Sequence, residues 1–284
     1  MEIVISDQRV FLFNDQITRQ AAEFKAREKK MVAFDAISKV GSFLSHPKDD
    51  EFELLYHEHH YQPFWHVIAI ARYLYDRDTE YKVATGGPEV QSVTDQSKCY
   101  EAVKGRISIS VTEHCIQEEE VEVYIDAVTG KSQPQLASYL PFNPKQITEK
   151  LNKMIDKDSI LVPPQMRASA IIRDILSKMI KKIQADKIHE ETIQVPSVDL
   201  YYHPVFAFQY RWKPKGKEAI VEIDALTGSV RGGNRIFREY LGKILDMDFL
   251  FDLGADAAGL LFPGGSIVVK AAKKYIDIRK DKNK

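Results

Sequence analysis

Histidines supply the residues best suited to chemistry, with His57, His59 and His66 in one short stretch of the chain. Alternate side chains of a β-strand project from the same face, so a strand here would point His57 and His59 the same way. Two imidazoles at this spacing can share a transition metal, for which His66 is a candidate third ligand. We therefore consider two interpretations, a metal site at these three histidines and a hydrogen-bonded strand edge.

A second polar cluster follows shortly afterwards. Glu80 and Lys82, preceded by Asp76 and Asp78, match the acidic part of a metal-dependent nuclease site, in which carboxylates hold the metal and the lysine positions water. The alternative is a polar turn leading into a strand. The pattern is short, so it specifies neither reading by itself.

Other catalytic signatures are missing from the sequence. It contains no Gly-x-Ser-x-Gly elbow, no phosphate-binding Gly-x-x-x-x-Gly-Lys-Ser/Thr loop, no Cys-x-x-Cys pair and no Gly-x-Gly-x-x-Gly stretch. Nucleotide-driven chemistry is therefore not expected. Apart from the alternative transition metal, the sequence predicts no cofactor.

Composition indicates an ordinary globular protein. The 284 residues include 40 basic and 41 acidic side chains, and this balance gives no electrostatic case for binding nucleic acid. A chain of this length can bury a sizeable core without disulfides, so Cys99 and Cys115 are predicted to be buried thiols. The first residues lack the pattern of a secretory signal, which favours a cytoplasmic location.

The clearest organising feature is a repeated ending. Residues 123–130 read Val-Tyr-Ile-Asp-Ala-Val-Thr-Gly, and residues 221–228 read Val-Glu-Ile-Asp-Ala-Leu-Thr-Gly. In each copy the aspartate can accept hydrogen bonds from following amides, and Gly130 or Gly228 tolerates a positive φ, so both copies predict a tight turn. Upstream of both lies a Tyr-x-Pro segment, at Tyr61 and Tyr202. The pattern indicates an internal duplication.

Helices are predicted before the strand pairs. A long helix capped by Asn14 or Asp15 should run as far as Ser45. Residues 52–75, 82–111 and 120–127 should form strands of an antiparallel meander. Asn143 followed by a proline predicts a second helix start. A third helix after Pro164 should bury an apolar stripe and lead into the strand pair 198–212 and 218–225.

A helix followed by a strand pair that closes on Asp-Ala-x-Thr-Gly resembles the PepSY domain. The resemblance covers residues 32–131, with a large insertion, and residues 168–231. It implies a small cystatin-like α+β module, mostly non-catalytic and associated with binding or with restraint of peptidases. Such domains usually lie outside the cytoplasm, which this sequence does not predict.

The C-terminal stretch has a different character. Residues 249–269 are apolar and rich in small residues, but Asp252 and Asp256 interrupt them and Pro263 splits them, so one membrane-spanning helix is not expected. Two short amphipathic helices are predicted, which would pack on the preceding domain or contact a partner or an anionic membrane surface. The contact residues would be Leu260, Leu261, Phe262, Ile267, Val268, Lys270, Lys273 and Lys274.

The sequence thus predicts an α+β fold with two helix-plus-antiparallel-sheet repeats and a helical C-terminal appendage. The expected divisions are residues 1–142, containing an inserted β meander, residues 143–233, resembling PepSY, and residues 234–284. The leading functional hypothesis is a non-enzymatic binding or regulatory protein that contacts another protein. The alternatives are a cytoplasmic protein peripheral at the membrane and a metal-dependent enzyme centred on His57 and His59. An exposed sheet edge or the apolar tail is also a candidate contact for a homo-oligomer.

Overall fold

The fold is dominated by β-strands that join one extended sheet. A computed structural model describes residues 1–31, 33–34, 48–96, 98–147, 154–233, 236–237 and 268–272, the last group by backbone alone. Ten of the described strands form one mixed sheet, and two short strands form a separate hairpin.

The elements are named in chain order. The strands are β1 (Glu2–Ser6), β2 (Arg9–Leu12), β3 (Phe52–Ala84), β4 (Ser92–Thr94), β5 (Cys99–Glu101), β6 (Arg106–Asp126), β7 (Lys145–Ile147), β8 (Ser159–Leu161), β9 (Lys187–Trp212), β10 (Lys217–Asp224), β11 (Val230–Gly233) and β12 (Val268–Ala272). The α-helices are α1 (Arg19–Lys29) and α2 (Ala168–Met179), and 3-10 turns cover Asp49–Glu51, Pro134–Phe142 and Lys213–Lys215.

Two very long strands form the centre of the sheet. β3 and β9 are antiparallel and stay paired from Phe52 opposite Trp212 to Asp76 opposite Lys187, with three register shifts along the way. Gln62 lies opposite His203 near the middle of this ladder. β-branched and aromatic residues, which suit a pleated and buried surface, fill the central part of both strands.

Each long strand changes its outer neighbour once it passes its proline. β8 pairs with β3 as far as Tyr61, and β6 takes over from Phe64. In the same way, β2 pairs with β9 as far as Tyr202, and β10 takes over from Val205. Proline has no N–H to give to a ladder, and Pro63 and Pro204 lie between the two neighbours, where no ladder bond is required of them.

The helices pack across the sequence halves. α1 precedes β3 but buries Ala22 and Ala26 against side chains of β9 and β10 such as Phe208. α2 precedes β9 but packs on β3, where it covers Trp65 and several alanine and valine side chains. Both helices lie on one face of the sheet. A smaller aromatic core on the opposite face is covered by the 3-10 segment Pro134–Phe142.

This arrangement corrects the predicted fold class. The chain is mostly β and builds one large mixed sheet, and not two helix-plus-antiparallel-sheet repeats. The prediction was wrong because the long strand of each half pairs with the other half, and each helix covers the half to which it does not belong in sequence. The prediction of a helical C-terminal appendage was also wrong for residues 268–272, because they form β12, a strand that pairs in parallel with β1.

Two predicted helix boundaries were wrong as well. Asn143 does not begin a helix. It adopts a left-handed conformation with φ 50° after the 3-10 segment, and β7 follows at once, pairing Ile147 with Val10. α1 is capped by Thr18, whose hydroxyl accepts a hydrogen bond from Ala21 N at 3.3 Å, and not by the residues named from the sequence. The part of the expected helix between residues 35 and 47 lies outside the described residues.

The predicted tight turns are confirmed. Asp126 Oδ1 accepts hydrogen bonds from the amides of the second and third following residues at 2.9 Å each, and Asp224 Oδ1 does the same. Gly130 and Gly228 have φ of 72° and 70°, a region that favours glycine. The Ala127 and Ala225 amides donate to the carbonyls of Pro63 and Pro204, so the two turns match bond for bond.

Two fully buried tyrosines give a first testable prediction. Tyr73 donates its hydroxyl hydrogen to Met179 O at 3.0 Å, whereas the Tyr202 hydroxyl has no hydrogen-bond partner among the described residues. A buried unpaired hydroxyl carries an uncompensated desolvation cost of about 1–3 kcal/mol. We therefore expect Tyr202→Phe to leave the free energy of unfolding unchanged or raise it by about 1 kcal/mol, and Tyr73→Phe to lower it by about 1 kcal/mol. Urea denaturation of both variants measures the difference. Equal losses would contradict this account.

Candidate functional site

A two-stranded arm leaves the body of the sheet. β9 ends its pairing with β3 at Asp76, and β3 then continues with β6 alone, from Arg77 opposite Glu113 to Ala84 opposite Arg106. The small β4–β5 hairpin lies at the far end. We call residues 77–113 the arm. Eight residues of strand extend about 26 Å, so the arm reaches well beyond the body of the sheet.

Polar contacts between side chains line the arm. Glu113 accepts hydrogen bonds from Arg77 Nε at 2.8 Å and from Tyr81 Oη at 2.6 Å, and these bonds hold the pKa of the Glu113 carboxyl below its usual range. Thr112 Oγ1 donates to Asp78 Oδ1 at 2.7 Å. All of these groups face solvent, where such pairs contribute little to stability. The backbone ladder is therefore what mainly holds the arm together.

Large apolar side chains on the arm and at its base are exposed. Val103 and Ile116 are each 67% exposed, and Tyr81 and Val83 are each nearly half exposed. A two-stranded arm has no second layer to cover such residues, and an isolated pair of strands is marginally stable in water. Apolar residues grouped on a projecting element mark a contact surface more often than single exposed side chains do.

One edge of β6 has no neighbouring strand among the described residues over most of its length. β6 pairs with β3 on one side. On the other side, its first residue Arg106 exchanges two backbone hydrogen bonds with Val103, and near its end Tyr124 O accepts from Gln133 N and Asp126 N donates to Lys131 O. Backbone groups of a strand alternate sides, and β6 has no register shift against β3. The even-numbered residues from Ser108 to Glu118 therefore turn their N–H and C=O groups away from β3. We call this stretch the free edge.

The free edge is acidic. β6 contains six carboxylates and a single basic residue, Arg106, with the carboxylates at Glu113, Glu118, Glu119, Glu120, Glu122 and Asp126. Arg72 and Lys181 form ion pairs with Glu118 and Glu119, so part of this charge is compensated within the protein. The acidic residues 118–120 thus lie on the side of the sheet where β6 has no neighbouring strand among the described residues.

The three histidines proposed as metal ligands do not converge. His57 and His59 lie on the face that carries α1, where His57 contacts Arg19 and His59 contacts Asp15 Oδ1 at 3.1 Å and Ser159 Oγ at 2.8 Å. His66 lies on the other face and contacts Glu122 Oε1 at 2.8 Å. Among the described residues, no group of three histidine, cysteine or acidic side chains is arranged to hold a metal ion.

In the acidic cluster near the arm, the carboxylate of Asp76 is engaged by contacts within the protein. Asp76 contacts His114 Nδ1 and His189 Nε2, both at 2.7 Å, and these two contacts hold the pKa of its carboxyl below the usual range. Asp76, on β3, therefore links β3 to β6 through His114 and to β9 through His189.

The prediction that the cysteines are buried was wrong. Cys99 is exposed and Cys115 is half-buried, because both lie on elements outside the packed centre.

Most of the residues proposed for membrane or partner contact lie outside the described part of the chain. Val268 and Lys270 belong to β12, whose backbone pairs with β1 at Glu2 and Val4. A strand in this place does not present an amphipathic helical face. Nothing is described for Leu260, Leu261, Phe262, Ile267, Lys273 and Lys274.

Sequence reasoning missed the free edge, although a signal for it exists. Residues 106–126 contain no glycine or proline that would interrupt a strand. That length exceeds a usual strand, which has about five to six residues. Strands of usual length cannot cover the whole edge of such a long strand, so part of that edge is expected to lack a neighbour.

Comparison with known proteins gives no assignment. No family model, no curated protein and no solved structure matches the chain. Within the described residues, none of the helices combines the length and the apolar character needed to cross a membrane. The function is therefore inferred from the geometry of the protein surface.

Proposed function

We propose that this protein is a non-enzymatic binding protein that accepts an extended, basic segment of a partner protein along the free edge of β6. The observation that carries the proposal is the run of outward-facing backbone groups at the even-numbered residues from Ser108 to Glu118, which have no neighbouring strand among the described residues. An added strand satisfies these groups through main-chain hydrogen bonds, while its side chains supply specificity.

Charge determines the kind of segment that fits. The carboxylates of β6 attract lysine and arginine side chains of an incoming strand and repel acidic ones. Opposite charges directly across a strand pair contribute roughly 0.2–1 kcal/mol each. The same charges disfavour the pairing of β6 with β6 of a second copy, so this edge is suited to a different protein.

The exposed apolar residues support the same interpretation. Ile116 lies on the free edge, and Tyr81 and Val83 are exposed on the opposite face of the arm, so apolar side chains are available on both faces of the β3–β6 ribbon. Charged residues on an edge strand are also a common protection against aggregation. Protection alone would not require an isoleucine that is 67% exposed on this edge.

Synthetic peptides test the proposal. A peptide of about nine alternating lysine and valine residues spans roughly 30 Å of the edge. We expect it to bind at low ionic strength at least about tenfold more tightly than a glutamate–valine peptide of equal length, measured by fluorescence anisotropy. The affinity should fall as salt is added, because exposed charges are screened.

A second peptide separates strand addition from simple charge attraction. N-methylation of alternate backbone amides keeps all lysines but removes the donors that face β6. We expect this peptide to lose most of the binding. Equal binding by the methylated and unmethylated peptides would contradict strand addition and leave only nonspecific attraction.

A further inference from the structure

A separate cavity lies on the face of the sheet opposite the helices. It has a volume of about 620 Å³ and is bounded by the turn after β6, the start of the 3-10 segment, β10, β11 and Phe237. Its floor is the centre of the β3–β9 ladder, where Gln62 lies opposite His203. Pockets for small molecules are typically 300–1,000 Å³ and combine apolar walls with a few polar groups.

His203 is the least satisfied polar group of this cavity. It is 4% exposed, it lines the cavity, and its Nδ1 has no hydrogen-bond partner among the described residues. Burial lowers the pKa of the imidazole well below its ordinary value, and Arg231 and His60 act in the same direction, against Asp224. The ring is therefore neutral at physiological pH. A buried polar atom without a partner is costly, and a ligand that supplies the partner recovers that cost.

The acidic groups of the cavity are already engaged. Asp126 accepts from the turn amides and from Gln133 Nε2 at 3.1 Å. Glu222 accepts from Arg231 Nε at 2.6 Å. Both carboxylates thus have donors within the protein, and neither needs a cation from a ligand.

The basic groups retain donors. Arg231 uses Nε on Glu222 and Nη2 on Gln62 Oε1, at 3.0 Å, which leaves the other terminal nitrogen of the guanidinium. The Lys131 ammonium makes no hydrogen bond or ion pair with the described residues. Arginine and lysine together are suited to a carboxylate. Apolar walls for the rest of a ligand come from Phe64, Leu136 and Phe237.

We infer that this cavity binds a small carboxylic acid that has an apolar body and a hydroxyl group. The carboxylate meets Lys131 and Arg231, the body lies against the aromatic walls, and the hydroxyl meets the imidazole of His203. This site is independent of the free edge, so its test does not depend on whether the proposed protein binding is correct.

Three related probes separate the contributions. The full chain is titrated calorimetrically with 4-hydroxycinnamate, with its amide, and with cinnamate. We expect 4-hydroxycinnamate to bind at a single site with a Kd below about 1 mM, the amide to bind at least about tenfold more weakly, and cinnamate to bind several-fold more weakly. No saturable binding of either acid, or equal binding of acid and amide, would overturn the inference.

Matched variants locate the site. Lys131→Met should weaken the binding of 4-hydroxycinnamate about five- to tenfold, and Lys217→Met, an exposed lysine outside the cavity, should not change it. In the unmodified chain with ¹⁵N-labelled histidine, the probe should shift the ring nitrogen resonances of His203 and leave those of His189 in place. Equal effects of the two lysine variants, or unchanged His203 resonances in a saturated sample, would place the ligand elsewhere and overturn the inference.

Discussion

Asp224→Ala is expected to lower the free energy of unfolding by about 3–5 kcal/mol, and Asp126→Ala by about 1–2 kcal/mol, although both residues make the same turn. Asp224 is buried and accepts from the Leu226 and Thr227 amides and from the buried hydroxyl of Tyr139. Its removal leaves three donors without partners where water cannot replace the carboxylate. Burial, and then the bond to Asp224, raises the pKa of the Tyr139 hydroxyl, so this donor stays protonated.

Asp126 provides the matched control. Its turn bonds have the same lengths, but its carboxylate is only partly buried and its third donor is the side chain of Gln133. Water can satisfy these groups when the carboxylate is lost, so the cost is smaller. Urea denaturation of the two variants measures both values. Equal costs would show that the turn bonds alone, and not the buried link to the 3-10 segment, determine the stability at this position.

Ile116→Pro is expected to weaken the binding of the lysine–valine peptide at least about tenfold, whereas Ile116→Ala weakens it only a few-fold. The amide of residue 116 points away from β3, so proline removes a donor of the free edge without removing a ladder bond to β3. Alanine keeps the amide and removes only the apolar side chain, which is already 67% exposed.

The comparison of these two variants isolates the backbone contribution. Circular dichroism and urea denaturation should show that both retain the fold, because residue 116 belongs to an edge strand and buries little surface. If both variants bind the peptide equally well, the main-chain donor at this position takes no part in binding, and the proposed strand addition is wrong at this part of the free edge.

Local features of the fold were readable from the sequence. The turns at Asp126 and Asp224 depend on hydrogen bonds within a few residues, which the Asp-Ala-x-Thr-Gly pattern encodes. The apolar stripe of α2 follows helical spacing and is buried as predicted at Ile172, Ile175 and Leu176. Interactions of this kind depend on neighbours in sequence, so a single chain is enough to predict them.

The pairing of distant segments was not readable. An alternating strand specifies which side chains share a face but does not specify which strand lies beside it. Pro63 and Pro204 show the difficulty, because each lies inside a predicted strand and marks where the outer neighbour changes, but neither indicates which strand that neighbour is. The helix predicted at Asn143 was wrong for a related reason, because the residues that follow Asn143 pair as a strand with β2.

The candidate sites were predicted least well. A metal site was predicted at His57, His59 and His66 because histidine is a common metal ligand. Packing places these residues on two faces of the sheet and gives each a partner within the protein. The cavity around His203 is built from six separate parts of the chain, so no short sequence motif predicts it. The length of residues 106–126 indicates that part of their strand edge lacks a neighbour, but no local pattern specifies which part that is among the described residues.

Hydrogen exchange of the β6 amides with and without the bound lysine–valine peptide tests the central claim most directly. We expect the peptide to slow exchange at even-numbered residues of the free edge, including Ser110, Thr112, His114, Ile116 and Glu118, because their amides point away from β3. The odd-numbered amides already bond to β3 and should change little. Unchanged exchange along β6 in the saturated complex, or slowing confined to other strands, would contradict strand addition at this edge.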